Sequence, residues 1–226
     1  MERSEPQIVF ATQPGGTTID QDAMGGNPFA TALIELSSQD GLTLRKLPAR
    51  LRSLTAQRSN KHQVPQWGRA PANLDWTFQL QAGSREQGRA ALVLVVSDYS
   101  LAAAAPLLGA ARDERRMASM LAGHGFSVSQ GVGPTRAALI DALAAFGRRS
   151  RACDVAVIYS TGHGVEADEH VYLLPADYPF RQGYAASLLR AHAVPVARIA
   201  GAAKASRLNL VFFAGCRTRD HSSGEH

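Results

Sequence analysis

The chain has 226 residues, 45% of them hydrophobic, enough for one sizeable core without disulfides or metals. Its two cysteines, Cys153 and Cys216, form no disulfide framework and fit a reducing compartment, the cytoplasm. The formal charge is +5 but the arginines are scattered and aromatics are 7%, so no nucleic-acid partner is expected; without a long apolar run or a signal-peptide core, neither is a membrane.

In chain order, Gln7–Thr12 (QIVFAT) reads as a short strand broken by Gln13-Pro14-Gly15-Gly16. A polar loop with Asp20 and Asp22 follows. Asn27 and Pro28 then read as N-cap and first turn of a helix with Phe29, Leu33 and Leu36 at helical spacing. Leu44, Leu47, Leu51 and Leu54 predict a second helix. Lys61–Pro71 reads as a loop and Trp76–Gln81 as a short strand. After the polar stretch from Ala82, strands and helices alternate. Ala90–Val96 is a strand, Leu107–Leu121 a helix, Phe126–Ser129 a strand. Thr135 caps a helix to Phe146, then come strands Asp154–Tyr159 and Val171–Leu174, a helix over Val196–Ala205 and strand Leu208–Phe213. That alternation predicts an α/β fold with a mostly parallel sheet covered on both faces.

Two of these strands end in reactive residues. DVAVIY runs into Ser160-Thr161-Gly162-His163-Gly164, and LNLVFF into Ala214-Gly215-Cys216. Ligands in open α/β sheets sit beyond the carboxyl ends of strands. A cysteine needs a base or positive neighbour to act as a nucleophile, and a histidine on an adjacent strand end supplies one. Taken singly, Cys216 reads as a small buried hydrophobe and His163 as a turn residue. Their matching positions beside glycines raise the pair above that. Cys153, at the foot of its strand, reads as packing.

From residue 90 onward the chain resembles the large-subunit half of the caspase/metacaspase family of cysteine peptidases. The matching pieces are Ser97-Asp98-Tyr99, PLLGAARDERRMASMLAGHGF, YSTGHG, YLLPADY and FFAGCR. The first third resembles the small-subunit half of the same family, through VFATQPGGTTID, NPFATALIEL, QVPQW and Phe78-Gln79-Leu80. The halves therefore stand in reversed order. The resemblance implies one caspase-hemoglobinase domain over residues 1–226, with a six-stranded sheet, circularly permuted. Residues 1–81 and 90–226 are its two halves and residues 82–89 the join. It also implies that the Gln7–Thr12 strand lies beside Leu208–Phe213, and that no proteolytic cut is needed for activity.

By resemblance, His163 and Cys216 are the catalytic dyad and the backbone N–H groups of Gly164 and Cys216 the oxyanion donors. The implied reaction is peptide-bond hydrolysis, with a peptide or protein as partner and oligomeric state left open. Asp113 and Asp20 fall on substrate-pocket positions, with Thr161 and Ala214 lining them. Two acids and no arginine imply Arg or Lys at P1. Ala214 replaces an Asp usual in basic-specific members, which opens the alternative of a weak or inactive relative that binds peptides or proteins. A flavodoxin-like phosphate-binding domain is a further alternative, but no Gly-rich loop follows the first strand. No HxxxH or CxxC pair occurs, and from Asp177 to Asp220 there is no acid, so neither a metal nor any other cofactor is expected.

Overall fold

A computed structural model describes residues 4–68, 73–79, 88–102, 104–131 and 135–219. Near-continuous apolar runs build the central strands β1 (Gln7–Phe10), β3 (Arg89–Val95), β5 (Val155–Thr161) and β9 (Leu208–Phe213), while the more polar β2 (Gln66–Trp67) and β4 (Ser127–Gln130) form the two edges. The sheet order is β2-β1-β9-β5-β3-β4. All neighbours run parallel except β1 and β2. Strands buried on both faces read as unbroken apolar runs, and β3, β5 and β9 are buried at every residue.

Their side chains alternate between two cores. Val93, Val157, Tyr159, Leu210 and Phe212 face α1 (Pro28–Ser37), α2 (Leu47–Arg58) and α3 (Leu108–Gly123). Leu92, Leu94, Ile158, Val211 and Phe213 face α4 (Arg136–Ser150) and α6 (Val196–Ala200). A second sheet, β10-β6-β7-β8, is made by β6 (Gly164–Ala167), β7 (His170–Leu173), β8 (Val194–Pro195) and β10 (Thr218–Arg219). It packs with α5 (Ala186–His192) around Val165, Tyr172, Tyr178 and Leu189.

The α/β class and the six-stranded, mostly parallel sheet between helices are as expected. The first strand does lie beside the cysteine strand, with Gln7 paired to Leu210 and Phe10 to Phe213. The caps also hold. Asn27 Oδ1 accepts the Phe29 N–H at 2.9 Å and Thr135 Oγ1 the Ala138 N–H at 3.4 Å.

Several details differ. Trp76–Gln79 forms no sheet strand beyond an isolated bridge between Thr43 and Thr77. Its rings pack instead, Trp76 on Phe78 at 5.0 Å, and the edge strand comes from Gln66–Trp67 in the expected loop. Leu80, Gln81 and residues 82–87 of the join lie outside the described residues. Strand β7 matches the piece expected at Val171–Leu174, but β6, its hairpin pairing with β7 and α5 are additional to the expectation. The helix expected over Val196–Ala205 stops at Ala200, before Gly201.

Candidate active site

His163, Gly164 and Cys216 stand where the two sheets meet. Adjacent parallel strands β5 and β9 are in register from Val155↔Leu208 to Ser160↔Phe213. Past β5 the chain passes through Gly162 and His163 into β6. Past β9 it passes through Ala214, Gly215, Cys216 and Arg217 into β10. Those two strands pair again, Thr218↔Val165 and Arg219↔Glu166. The crossing is tight. Ala214 N–H donates to Ser160 O at 2.8 Å, and Thr161 Oγ1 donates to Ala214 O at 3.5 Å. A Cβ on Gly164 would stand 2.3 Å from the Cys216 carbonyl oxygen and 3.2 Å from its nitrogen, so only glycine allows this approach. His163, Gly164 and Cys216 are thereby brought together.

His163 is held by its backbone and its ring. Its N–H donates to the Tyr99 hydroxyl at 2.7 Å, and that hydroxyl donates to Leu174 O at 2.9 Å. Leu174 N–H returns to His163 O at 2.9 Å. The imidazole packs 4.5 Å from the Tyr99 ring and 5.8 Å from Phe180, centre to centre. Burial lowers its pKa below the ordinary histidine value, and the Asp20 carboxylate opposes that. A neutral imidazole at neutral pH can accept a proton. Burial raises the Tyr99 pKa well above that of a free phenol, so its hydroxyl keeps its proton.

Cys216 is partly buried. Its sulfur meets the Thr18 N–H and the Thr18 hydroxyl, each at 3.3 Å. Among the described residues no hydrogen bond joins the sulfur to the His163 ring.

Arg217 anchors the next position. It is buried, with Nε donating to Glu166 at 2.9 Å and Nη1 to Gln66 at 2.7 Å, and its guanidinium lies 4.3 Å from the Phe10 ring centre. Breaking a buried pair by removing one partner costs up to about 3–5 kcal/mol, and here Glu166 would keep only its longer, exposed pair with Arg219 at 3.4 Å. Arg217→Ala is therefore expected to lower the melting temperature sharply. Arg217→Lys restores little, because a point charge cannot replace a fork that reaches two partners. Urea titrations of the three proteins check this, and equal midpoints would disprove it.

The acids gather on the α1/α3 side. Asp20 accepts the Gly109 N–H at 2.8 Å and the Ala110 N–H at 3.1 Å, which caps α3 in place of a local N-cap side chain. Asp113 is fully buried. It accepts the Asn27 N–H at 2.8 Å and pairs with Arg116 at 3.2 Å. Its pKa is pushed up to about 7, by burial first, with Asp20 and Asp22 adding to the rise. A Cβ on Gly26 would lie 2.2 Å from Asp113 Oδ1, so the loop before α1 closes directly over it. Tyr159 on β5 and Ala214 after β9 face the same core, and Thr161 follows Tyr159 on its side of the strand. The Asp20 charge thus acts on both His163 and Asp113, raising the pKa of each.

Thr18 and Tyr99 are not among the residues expected at the site; Tyr99 satisfies the strand-end rule, and Thr18 is reached only through the fold. Tyr99 follows β3 and Thr18 follows β1, at the carboxyl edge shared by β5 and β9. Cys153 packs against the second core, with burial raising its pKa first, as a packing residue would. Asp177 accepts the Arg136 N–H at 2.9 Å, at the start of α4. Among the described residues no group of three or more His, Cys, Asp or Glu could hold a metal ion, and no helix is long and apolar enough to cross a membrane.

The caspase domain family model matches residues 88–226. The chain belongs to that family, one of cysteine peptidases. No curated protein matches it.

Proposed function

We propose that the protein is a cysteine endopeptidase cleaving after Arg or Lys. The observation that carries this reading is the arrival of His163 and Cys216 from the carboxyl ends of adjacent parallel strands, with Gly164 against the Cys216 backbone. In this reading the Cys216 sulfur attacks the substrate carbonyl carbon, and its proton passes to His163. The oxyanion rests on the N–H groups of Gly164 and Cys216. The C–N bond then breaks as His163 gives the proton to the leaving amine. Water, deprotonated by His163, hydrolyses the thioester and returns the sulfur to its starting state.

Asp113 and Asp20 face the substrate cation, and Thr161 and Ala214 shape the walls beside it. Both acids already hold backbone amides, but a carboxylate oxygen accepts more than one donor. The free thiols of Cys153 and Cys216 support a reducing, cytoplasmic setting. The reading also includes circular permutation of a single domain. It is supported by β1 and β2 completing the sheet beside β9, while the family match begins at residue 88.

A peptidyl-Arg chloromethyl ketone is expected to alkylate Cys216, located by peptide mass, and the peptidyl-Asp analogue is not. An unlabelled thiol would favour a binding module over an enzyme. Hydrolysis also carries a pH signature. Because burial lowers the His163 pKa, the acid limb of kcat/KM lies below the ordinary histidine pKa of about 6.5. Asp20→Asn removes the charge that opposes this shift and moves the limb lower still. An acid limb above the ordinary value would refute the assignment of His163 as the base.

A further inference from the structure

The contacts of the Cys216 sulfur lie with a residue from the far end of the sequence. We propose that Thr18 is a further catalytic residue, whose amide and hydroxyl both donate to the Cys216 sulfur and hold it in its reactive, anionic form. The proposal rests on the reading of Cys216 as nucleophile. It adds a second support to the sulfur beside the histidine.

The geometry is a two-point grip. The Thr18 N–H and Oγ1 stand at the same distance from Sγ, 3.3 Å. A backbone amide can only donate. A hydroxyl can donate or accept, but toward an anionic sulfur it too must donate. Hydrogen bonds to the charged form of a group favour that form. Once the Cys216 proton has passed to His163, the two Thr18 donors therefore oppose its return. No covalent bond is made or broken by Thr18, and no co-reactant is required.

The grip is built to stay in place. On one side of Thr18, Gly15 N–H donates to Arg217 O and Arg217 N–H donates to Gly16 O, both at 2.9 Å. These bonds tie the loop to the residue immediately after Cys216. On the other side, Ile19 N–H donates to Gln63 Oε1 at 2.8 Å, and Asp20 is fixed on the first turn of α3. Thr17 Oγ1 is within 2.8 Å of His62 Nε2. The residues on both sides are thus tied to other parts of the fold, so the position of Thr18 on the sulfur does not depend on its own side chain. Deleting its hydroxyl removes one donor without releasing the loop.

The test uses the whole chain carrying Cys153→Ala, so that Cys216 is its one thiol. The rate of alkylation by iodoacetamide at pH 7 is followed by mass spectrometry. Thr18→Val keeps the shape and the amide but loses the hydroxyl, and is expected to slow alkylation about tenfold. Thr18→Ser keeps both donors and is expected to restore the rate. A thermal melt of each variant confirms that it is folded. A purely structural role for Thr18 predicts alkylation unchanged, or faster as the sulfur is uncovered, and either result overturns the proposal. So does a hydroxyl that acts as acceptor, since Val would then release the sulfur and speed the reaction. Peptide hydrolysis is measured in parallel. Slowed alkylation in a protein that cleaves no peptide would support the Thr18 contact while rejecting the peptidase reading. Cleavage by the parent with alkylation untouched in Thr18→Val would reject Thr18 alone.

Discussion

Cys216→Ala is expected to abolish peptide hydrolysis and leave the fold intact. The sulfur contributes two weak contacts to Thr18 and is only partly buried, so truncation costs little packing. The loss of kcat, by contrast, is on the order of 10⁴-fold or more, the scale seen when a nucleophile is removed. His163→Ala is expected to lose nearly as much, and the double variant no more than either single one, because residues that act as a unit are not additive. A fluorogenic peptidyl-Arg substrate and a circular dichroism melt measure both sides. Turnover retained by purified Cys216→Ala would mean that the nucleophile lies elsewhere.

The second large effect is at Asp113. A desolvated substrate cation that loses its carboxylate partner loses about 2–5 kcal/mol, or roughly 30- to 4,000-fold in kcat/KM. Asp113→Asn is the instructive change because it moves activity and stability in opposite directions. Asp113 has a pKa raised by burial to about 7. The folded protein thus resists its ionisation, and stability present at acidic pH is lost as pH rises from the unfolded carboxylate value through about 7. Asparagine mimics the neutral acid and can still accept the Asn27 N–H. The variant should therefore melt higher than the parent at pH 8.5 and close to it at pH 4, by at most about 4 kcal/mol. A lower melting temperature at pH 8.5, or unchanged cleavage after Arg, would remove Asp113 from the proposed recess.

The residues differ in how far they could be read in advance. The β9 strand matched its six-residue run, because a fully buried parallel strand is written as an unbroken apolar segment. His163 and Cys216 were visible for the same reason, each standing where such a segment stops. Caps at Asn27 and Thr135 use short-range hydrogen bonds and were equally plain. The β6–β7 hairpin was not, because its turn places Asp168 and Glu169 at positive φ, where Asn-Gly is the usual signal. At seven residues α5 is too short for a helical period to register. Trp76, Phe78 and Leu80 alternate like a strand, but Trp76 and Phe78 are part of an aromatic cluster that includes His124. Nothing near Asp20 in the sequence marks it as the cap of α3, because it reaches that helix from a loop far away in the chain. The contact of Thr18 with Cys216 spans 198 positions, and no local pattern encodes it.

The pairing of β1 with β9 has a consequence for how the protein is made. The first strand of the chain must wait for nearly the last. At a synthesis rate of about 5–20 residues per second, β1 leaves the ribosome roughly 10–40 s before its partner β9. Until then Val9 and its neighbours have no sheet to join, and contacts of such long range close slowly. The reverse exposure holds for β9. Without residues 4–68, the strand LNLVFF would be an edge of the sheet, uncharged and apolar, with its outer backbone groups unpaired. Such an edge recruits other strands. The first third of the chain therefore acts as an internal guard for the cysteine strand, and a truncated chain lacking that guard is the form most prone to aggregate.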